Sequence, residues 1–373
     1  MSRIDFIDLK AQRRRLGTRI EQAMARVVDH SGFILGPEVT ELEKRLSAFC
    51  GARHTVTCAN GTDALELVLM AEKIGPGDAV FVPAFTFVAT AEVIPGTGAT
   101  PYFVDVNEDD FCISPSSLEQ AIAGAKAKGL KPRMVIPVDL FGQPADYDAL
   151  LDIASKHDLV VLSDAAQSFG AELHGRKTGT FGKYTTTSFF PAKPLGCYGD
   201  GGAVFTDDDA QADLLRSLRF HGKGQDKYDN VRLGMNSRLD TLQAAILLEK
   251  LDIFADEIVA RMRIAQRYND LLRQTFSVPQ LRQGATSVWA QYTLLLENRD
   301  AIAKACATEK IPTAIYYPIP LHLQQGYKQY PVVGNGLPVS EKLAQKVISL
   351  PMHPYLDEAT QDRIVATILA VAK

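Results

Sequence analysis

The sequence predicts an α/β protein in which a large, mainly parallel sheet domain is followed by a smaller α+β domain. Strand-like and helix-like segments alternate over most of residues 1–210. Repeated βαβ units of this kind predict a largely parallel sheet that helices cover on both faces. From Arg238 to about Thr275 the helical pattern is almost continuous, and after it short strand-like and helical segments are mixed.

The strands of the large sheet are predicted from apolar runs that lie between helical segments. In chain order these runs are HTVTCA (54–59), AVFVPA (79–84), TPYFVDV (100–106), MVIPVDL (134–140), LVVLSDAA (159–166), YTTTSFF (184–190) and GAVFTD (202–207). The intervening helical segments include GTDALELVLMAEKIG and ADYDALLDIASKHD.

A long helix is predicted to join the two domains, because leucine and isoleucine side chains recur at a helical period from Leu239 to Leu251. The C-terminal domain is predicted from WAQYTLLLEN, a helical AIAKACATEK, TAIYYPIP, and the helical SEKLAQKVI and DEATQDRIVATILAVA. We therefore expect a large domain with the N-terminal segment at residues 1–250 and a small domain at residues 251–373.

Charge and composition favour a small-molecule partner. The formal net charge is −4 and no long basic run occurs, which argues against nucleic acid or a membrane surface as the main partner. The most apolar stretch, AVFVPAFTFVATAEVIPG, is interrupted by Pro83, Glu92 and Pro95 and is predicted to be buried rather than to span a membrane. Five scattered cysteines and a start without an apolar leader favour a reducing, cytoplasmic location.

The sequence lacks the motifs of several common site types, which argues against them. The glycines of GCYGDGG match neither a dinucleotide fingerprint nor a phosphate-binding loop of nucleotide hydrolases. The seven histidines show no HExxH or paired spacing, so no metal site is expected. A GxSxG elbow is also missing, which argues against a serine hydrolase.

Asp164 follows a predicted buried strand, at the point where LVVLSD leads into AAQSFG. Ligands of open α/β sheets bind beyond the carboxyl ends of the strands, so a carboxylate here is a candidate ligand group. A cap for the next short helix is an equally good interpretation of this stretch alone. Gln167 either completes that cap or faces the same ligand.

The segment NGTDAL places Thr62 and Asp63 at a strand-to-helix turn. Backbone N–H groups at a helix N-terminus, together with a hydroxyl, form an anion site that suits a phosphate. Helix caps of the same composition are common, so this segment alone is weak evidence.

The segment SFFPAKPLGCYGDGG places Lys193 between two prolines and after two phenylalanines. Partial desolvation in such a loop lowers the pKa of a lysine and frees its amine for imine formation. Taken alone, a loop lysine is more often an exposed charge.

Together these features are the parts that hold pyridoxal 5′-phosphate. Lys193 would form the imine, Asp164 would keep the pyridine nitrogen protonated, and the Thr62 turn would hold the phosphate. Phe87 in FTFVATAE offers a ring to stack on the pyridine, although an ordinary core phenylalanine explains it equally well.

Nine long segments occur in order along the chain: FIDLKAQ, FILGPEVTELE, CANGTDAL, PAFTFVATAE, DAAQSFGA, SFFPAKPLGCYGDGG, GMNSRLDTLQAAIL, YYPIPLH and SLPMHPYL. Because of these nine segments, the chain resembles the DegT/DnrJ/EryC1/StrS family of sugar aminotransferases from end to end. The resemblance implies the fold-type I architecture of aspartate aminotransferase and a homodimer with two shared active sites. It also implies pyridoxal phosphate with pyridoxamine 5′-phosphate as intermediate, L-glutamate as amino donor and a nucleotide-sugar substrate.

The family's site residues carry over by position. The matching cofactor contacts are Lys193 for the imine, Asp164 for the pyridine nitrogen, Gln167 near the ring, Thr62 and Ser188 for the phosphate with the Gly61 and Asp63 backbone nearby, Phe87 for stacking, and Asn236 for the phosphate of the neighbouring subunit. Substrate contacts are expected at Lys10, Arg238, Tyr316 and Tyr317, where relatives commonly have His-Tyr-Pro at positions 316–318.

The resemblance also suggests a substrate. Some relatives have histidine instead of the lysine and are dehydratases, so Lys193 favours transamination. KPLGCYGDGG and NSRLDTLQAAILL are most similar to members that aminate C3 of a UDP-linked 3-keto-uronate for bacterial surface polysaccharides, including lipopolysaccharide O-antigen. The alternatives are amination at C4 of a dTDP- or UDP-linked 4-keto-6-deoxy sugar, and a non-catalytic binding subunit of the same fold.

Overall fold

A computed structural model describes residues 4–226 and 228–371 of the chain. The helices are α1 (Leu9–Leu16), α2 (Arg19–His30), α3 (Pro37–Cys50), α4 (Gly61–Ala71), α5 (Ala89–Gly96), α6 (Pro115–Ala127), α7 (Tyr147–His157), α8 (Asp209–Leu218), α9 (Thr241–Leu272), α10 (Arg299–Thr308), α11 (Pro338–Lys346) and α12 (Glu358–Val371). The strands are β1 (His54–Cys58), β2 (Asp78–Pro83), β3 (Thr100–Val104), β4 (Lys131–Val135), β5 (Val160–Asp164), β6 (Glu172–Leu173), β7 (Arg176–Lys177), β8 (Tyr184–Ser188), β9 (Gly202–Thr206), β10 (Tyr292–Leu295) and β11 (Val347–Leu350). Short 3₁₀ helices lie at Leu140–Gly142 and Leu321–Leu323.

The large sheet has seven strands in the order β1-β9-β8-β5-β4-β2-β3. Pairing is parallel from β8 through β5, β4 and β2 to β3, and antiparallel where β9 joins β8 and β1. The prediction of a mainly parallel sheet is therefore confirmed. Because β5 and β4 are neighbours in the middle of the sheet, the residues that follow them meet at the carboxyl edge, where ligands of such sheets bind.

Helices cover both faces of this sheet, as β9 shows. Val204 packs in one apolar cluster with residues of α4, α6 and α7, whereas its neighbours Ala203 and Phe205 pack in another with residues of α3 and α9. Successive residues of a strand point to opposite faces, so the two clusters lie on opposite sides. Burial on both sides explains why most residues of β1, β2, β3, β8 and β9 are apolar or threonine.

Two predicted boundaries are wrong. The run at 134–140 forms a strand only as Lys131–Val135; Pro137 interrupts the ladder because it has no N–H to donate, and a 3₁₀ turn follows at Leu140–Gly142. The predicted helix SEKLAQKVI ends at Lys346, and Val347–Leu350 forms β11. This strand pairs antiparallel with β10 and is buried throughout.

The helix α9 contacts two apolar clusters in turn. Leu247, Leu251 and Phe254 pack in the cluster that includes Phe205 of the large sheet. Ile264 and Tyr268 pack instead with β10, β11 and α12. The predicted bridging helix is thus present and begins at Thr241 rather than Arg238; the division into residues 1–250 and 251–373 stays a prediction.

Across the two described ranges, no helix combines the length and the apolar character needed to cross a bilayer.

Candidate active site

Asp164 is the last residue of β5 and is 6% exposed. Its carboxylate accepts hydrogen bonds from the Thr90 hydroxyl at 2.9 Å and from the Ala166 N–H at 3.1 Å. Burial raises the pKa of Asp164, and these two donors and the Lys193 ammonium oppose the increase. The carboxylate is therefore fixed by two donors and is electrostatically coupled to Lys193.

Lys193 lies in the turn that follows β8, where its backbone N–H donates to the Phe190 carbonyl at 2.8 Å. The residue is partly buried. Burial lowers the pKa of the Lys193 ammonium, and the attraction of Asp164 opposes this shift. A lowered pKa increases the fraction of free amine at neutral pH, which is the form that attacks a carbonyl carbon.

Gln167 is held by contacts at both ends of its amide. Its Oε1 accepts from the Phe141 N–H at 2.8 Å, and its Nε2 donates to the Tyr317 hydroxyl at 3.3 Å. The Tyr317 ring lies 6.4 Å from the ring of Phe87, which is 53% exposed. Gln167, Tyr317 and Phe87 thus form one group, and the exposed part of Phe87 is available to a planar ligand.

The N-terminus of α4 and the end of β8 lie against each other. The helix begins at Gly61, and the Asn60 side chain accepts from the Asp63 N–H at 2.8 Å. A Cβ built on Gly61 would lie 2.8 Å from the Ser188 Cβ. The Asp63 N–H is therefore used by the cap, while the N–H groups of Gly61 and Thr62 and the Ser188 hydroxyl remain the donors suited to an anion here.

We expect Gly61→Ala to weaken binding of pyridoxal phosphate about tenfold, since the added methyl group would push Ser188 away from the helix N-terminus. The measurement is the cofactor Kd from an absorbance titration of the apo-protein. Gly96→Ala is the control because a Cβ at Gly96 meets no atom within 4 Å. Equal Kd values for both variants and the unmodified chain would contradict the anion site.

Asn236 and Arg238 line a different cavity of about 450 Å³. The other residues that line it are Ile34, Ala59, Gly199, Asp200, Asp240 and Gln243. The Ala59 N–H donates to the Ser237 hydroxyl at 3.1 Å, so this cavity adjoins the turn before α4. Arg238 also lies 5.0 Å above the Phe220 ring.

The other two predicted substrate residues are Tyr316 and Lys10. Tyr316 is partly buried and its ring lies 6.3 Å from Phe6 in the N-terminal segment. Lys10 is exposed on α1. None of the hydrogen bonds or ion pairs described for residues 4–226 and 228–371 joins Lys10 to Asp164, and its role stays a prediction.

Sequence reasoning missed two polar residues beside Asp164. The Thr90 hydroxyl donates to the Asp164 carboxylate. The one feature of the sequence that could have indicated this role is a hydroxyl side chain within the apolar segment FTFVATAE. Asp139 is fully buried in the segment that follows β4, and β4 is the strand next to β5. The pattern that indicated Asp164, a carboxylate at the end of an apolar run, also applies to Asp139 and could have found it.

These residues suit pyridoxal phosphate. Gly61 and Ser188 lie close enough to hold a phosphate between them, the exposed Phe87 ring could stack on the pyridine, and Asp164 and Lys193 offer a carboxylate and an amine. The sequence profile of the DegT/DnrJ/EryC1/StrS aminotransferase family matches residues 14–369. The chain belongs to this family. As a DegT/DnrJ/EryC1/StrS aminotransferase, it has the fold-type I architecture and is a pyridoxal-phosphate-dependent transaminase.

Two characterised relatives illustrate the similarity. The chain is 47% identical to a UDP-2-acetamido-2-deoxy-3-oxo-D-glucuronate aminotransferase from Pseudomonas aeruginosa, over 98% of this chain and 99% of the relative. It is 41% identical to a UDP-N-acetyl-3-dehydro-alpha-D-glucosamine 3-aminotransferase from Acidithiobacillus ferrooxidans, over 98% of this chain and 97% of the relative.

Solved structures of family members agree. A DegT/DnrJ/EryC1/StrS aminotransferase from Brucella abortus has a TM-score of 0.97 and 54% identity, covering 98% of this chain and 99% of that protein. Other similar structures contain pyridoxamine phosphate or the pyridoxal phosphate form. The cofactor of this DegT/DnrJ/EryC1/StrS aminotransferase is pyridoxal 5′-phosphate, with pyridoxamine 5′-phosphate as its aminated form.

Proposed function

We propose that this transaminase moves an amino group from L-glutamate to C3 of UDP-2-acetamido-2-deoxy-3-oxo-D-glucuronate, in the cytoplasmic synthesis of a surface polysaccharide such as lipopolysaccharide O-antigen. The supporting observation is the 47% identity, over almost the full length of both chains, to the relative named for that substrate. The name of the second relative also specifies a UDP-linked sugar and a 3-aminotransferase.

The proposed roles of the cofactor residues follow from their contacts. When bound, pyridoxal phosphate supplies a carbonyl carbon that amines attack and a ring that takes up electron density. The Lys193 amine holds the cofactor and, once released, carries the proton from the donor as general base and returns it as general acid. The Asp164 carboxylate stabilises positive charge on the ring nitrogen. The α4 N-terminus and Ser188 bind the phosphate.

Arg238 is the cation that we assign to the acidic part of the sugar nucleotide. It lines the cavity of about 450 Å³ beside the turn before α4, and its guanidinium lies 5.0 Å from the centre of the Phe220 ring. A carboxylate or phosphate oxygen suits a guanidinium. Lys10, Tyr316 and Tyr317 are proposed as the other substrate contacts.

We also propose a homodimer in which Asn236 completes the phosphate site of the neighbouring subunit. Asn236 is exposed, and exposed apolar side chains occur on nearby segments: Phe33 (44%), Ile34 (49%), Val231 (52%) and Leu233 (90%). Exposed apolar groups of this number are typical of a surface that another chain covers.

Mixed dimers test this sharing. Asn236→Ala and Lys193→Ala chains are purified separately, each with little activity, and are then unfolded and refolded together. If Asn236 acts across the interface, a mixed dimer contains one site with both native residues, and activity returns. If Asn236 acts within its own chain, both sites of the mixed dimer stay defective and activity does not return.

The substrate assignment is tested by offering the purified enzyme, with L-glutamate, a panel of UDP- and dTDP-linked 3-keto and 4-keto sugars. We expect kcat/KM to be highest for the UDP-linked 3-keto-uronate. Arg238→Lys should increase KM for this sugar more than for a 3-keto sugar without the carboxylate, if the guanidinium binds that carboxylate. A preference for a 4-keto-6-deoxy sugar would overturn the assignment and favour C4 amination.

A further inference from the structure

Asp139 is a second buried carboxylate behind the cofactor site. It lies after β4, its residue is 0% exposed, and its side chain accepts three hydrogen bonds. The donors are the Ala145 N–H at 2.9 Å, the Tyr147 hydroxyl at 2.8 Å and the Ser168 hydroxyl at 2.7 Å. A buried carboxylate needs such donors, and Ser168 lies in the same turn as Gln167.

The backbone joins the same two segments directly. The Asp164 N–H donates to the Pro137 carbonyl at 2.9 Å, and the Asp139 N–H donates to the Asp164 carbonyl at 3.1 Å. These two bonds extend the parallel pairing of β4 and β5 beyond the end of β4. The position of the Asp164 backbone therefore depends on the segment that carries Asp139.

A third connection involves Gln167. Its Oε1 accepts from the N–H of Phe141, two residues after Asp139. Phe141 has φ +62°, a conformation that a residue other than glycine keeps only where its surroundings hold it. The Asp139 side chain closes this loop by accepting from Ala145. Loss of the Asp139 carboxylate would release the 139–145 loop and move the Phe141 N–H that binds Gln167.

We propose that Asp139 is a positioning residue for the cofactor site, which holds the 164–168 turn, and with it Asp164 and Gln167, through Ser168 and the 139–145 loop. This inference concerns cofactor binding and does not depend on which sugar is aminated. It assigns no contact between Asp139 and the cofactor, and its effect passes through Asp164 and Gln167.

The charge of Asp139 gives the proposal a second, independent readout. Burial raises the pKa of Asp139 to about 7, the three donors oppose this increase, and Asp164 adds to it. The other titratable groups that face it are Tyr147 and Cys112, and burial raises the pKa of both. Above pH 7 Asp139 therefore adds negative potential at Asp164, which favours protonated, positively charged groups nearby.

The test uses Asp139→Ala and Asp139→Asn in the full chain. Asp139→Ala removes both carboxylate oxygens and with them all three hydrogen bonds, and we expect the Kd for pyridoxal phosphate to increase about tenfold. Asp139→Asn keeps the shape and removes the charge. In this variant the pH midpoint of the absorbance change of the bound cofactor should move to lower pH, since protonated forms lose a favourable neighbour.

Asp105→Asn is the matched control. Asp105 is 8% exposed, follows β3, and accepts from the N–H groups of Val339 and Ser340 and from the Ser340 hydroxyl. It lies three strands from β5 in the sheet. The change should lower Tm without altering the cofactor Kd or the pH midpoint.

The outcomes are distinct. A larger Kd or a lower pH midpoint in the Asp139 variants than in Asp105→Asn supports the proposal. If both Asp139 variants fold, bind the cofactor within about twofold of the unmodified chain and keep its pH midpoint, the proposal is overturned and Asp139 only stabilises the fold. If Asp139→Ala does not fold, Asp139→Asn decides by the same two measurements.

Discussion

Lys193→Ala is expected to lower the rate of amino transfer by about 10⁴-fold. The variant loses both the amine that attaches the cofactor and the group that moves the proton, and no second lysine of the described residues is coupled to Asp164 as Lys193 is. The measurement is single-turnover kinetics with L-glutamate, together with the visible absorbance of the cofactor-loaded protein.

Lys156→Ala is the control for Lys193→Ala, because the Lys156 side chain is 65% exposed. Its Nζ lies 3.9 Å from the Glu119 carboxylate in an ion pair on the surface. This variant should keep both the rate and the yellow absorbance. Full activity of Lys193→Ala would contradict the assignment of the catalytic lysine, whatever the sugar substrate.

Asp164→Asn is expected to lower kcat about 10³-fold, the size of effect seen when a buried charge-stabilising group is removed. Asparagine keeps the size of the side chain, and its amide oxygen can still accept from the Ala166 N–H, while its NH2 group would donate to the Thr90 hydroxyl instead of accepting from it. It carries no charge to stabilise a protonated ring nitrogen. Because Lys193 and the phosphate cradle are unchanged, the variant should still bind the cofactor. Kinetics of the glutamate half-reaction and a cofactor titration separate these effects.

Asp148→Asn provides the comparison for Asp164→Asn, since Asp148 is an aspartate on α7 whose side chain is 73% exposed. It should react at the rate of the unmodified enzyme. A rate for Asp164→Asn within about tenfold of the unmodified enzyme would show that the carboxylate does not supply the proposed charge stabilisation.

The sequence predicted the sheet and the main chemical groups because both have local signals. Apolar runs alternate with helical ones, and Asp164 follows such a run directly. Lys193 has the unusual surroundings of two prolines and two phenylalanines. These features depend on neighbours in the chain, so a pattern of a few residues is sufficient to indicate them.

The contacts around Asp164 could not be predicted in the same way, because they join segments far apart in the chain. Thr90 reaches Asp164 across 74 positions, and Gln167 reaches Tyr317 across 150. No local pattern shows which hydroxyl of a threonine-rich strand or helix will face a given carboxylate. Only the strand order, which places β4 and β5 side by side, brings Asp139 behind Asp164.

The helix α9 has a consequence for how the molecule unfolds. It has 32 residues and is therefore about 48 Å long, and its two halves pack in different apolar clusters. Melting either half would expose apolar side chains in its own cluster and would also shorten the helix that supports the other. The clusters on either side of α9 thus share one element of structure, which couples their stabilities and favours loss of both in a single cooperative step.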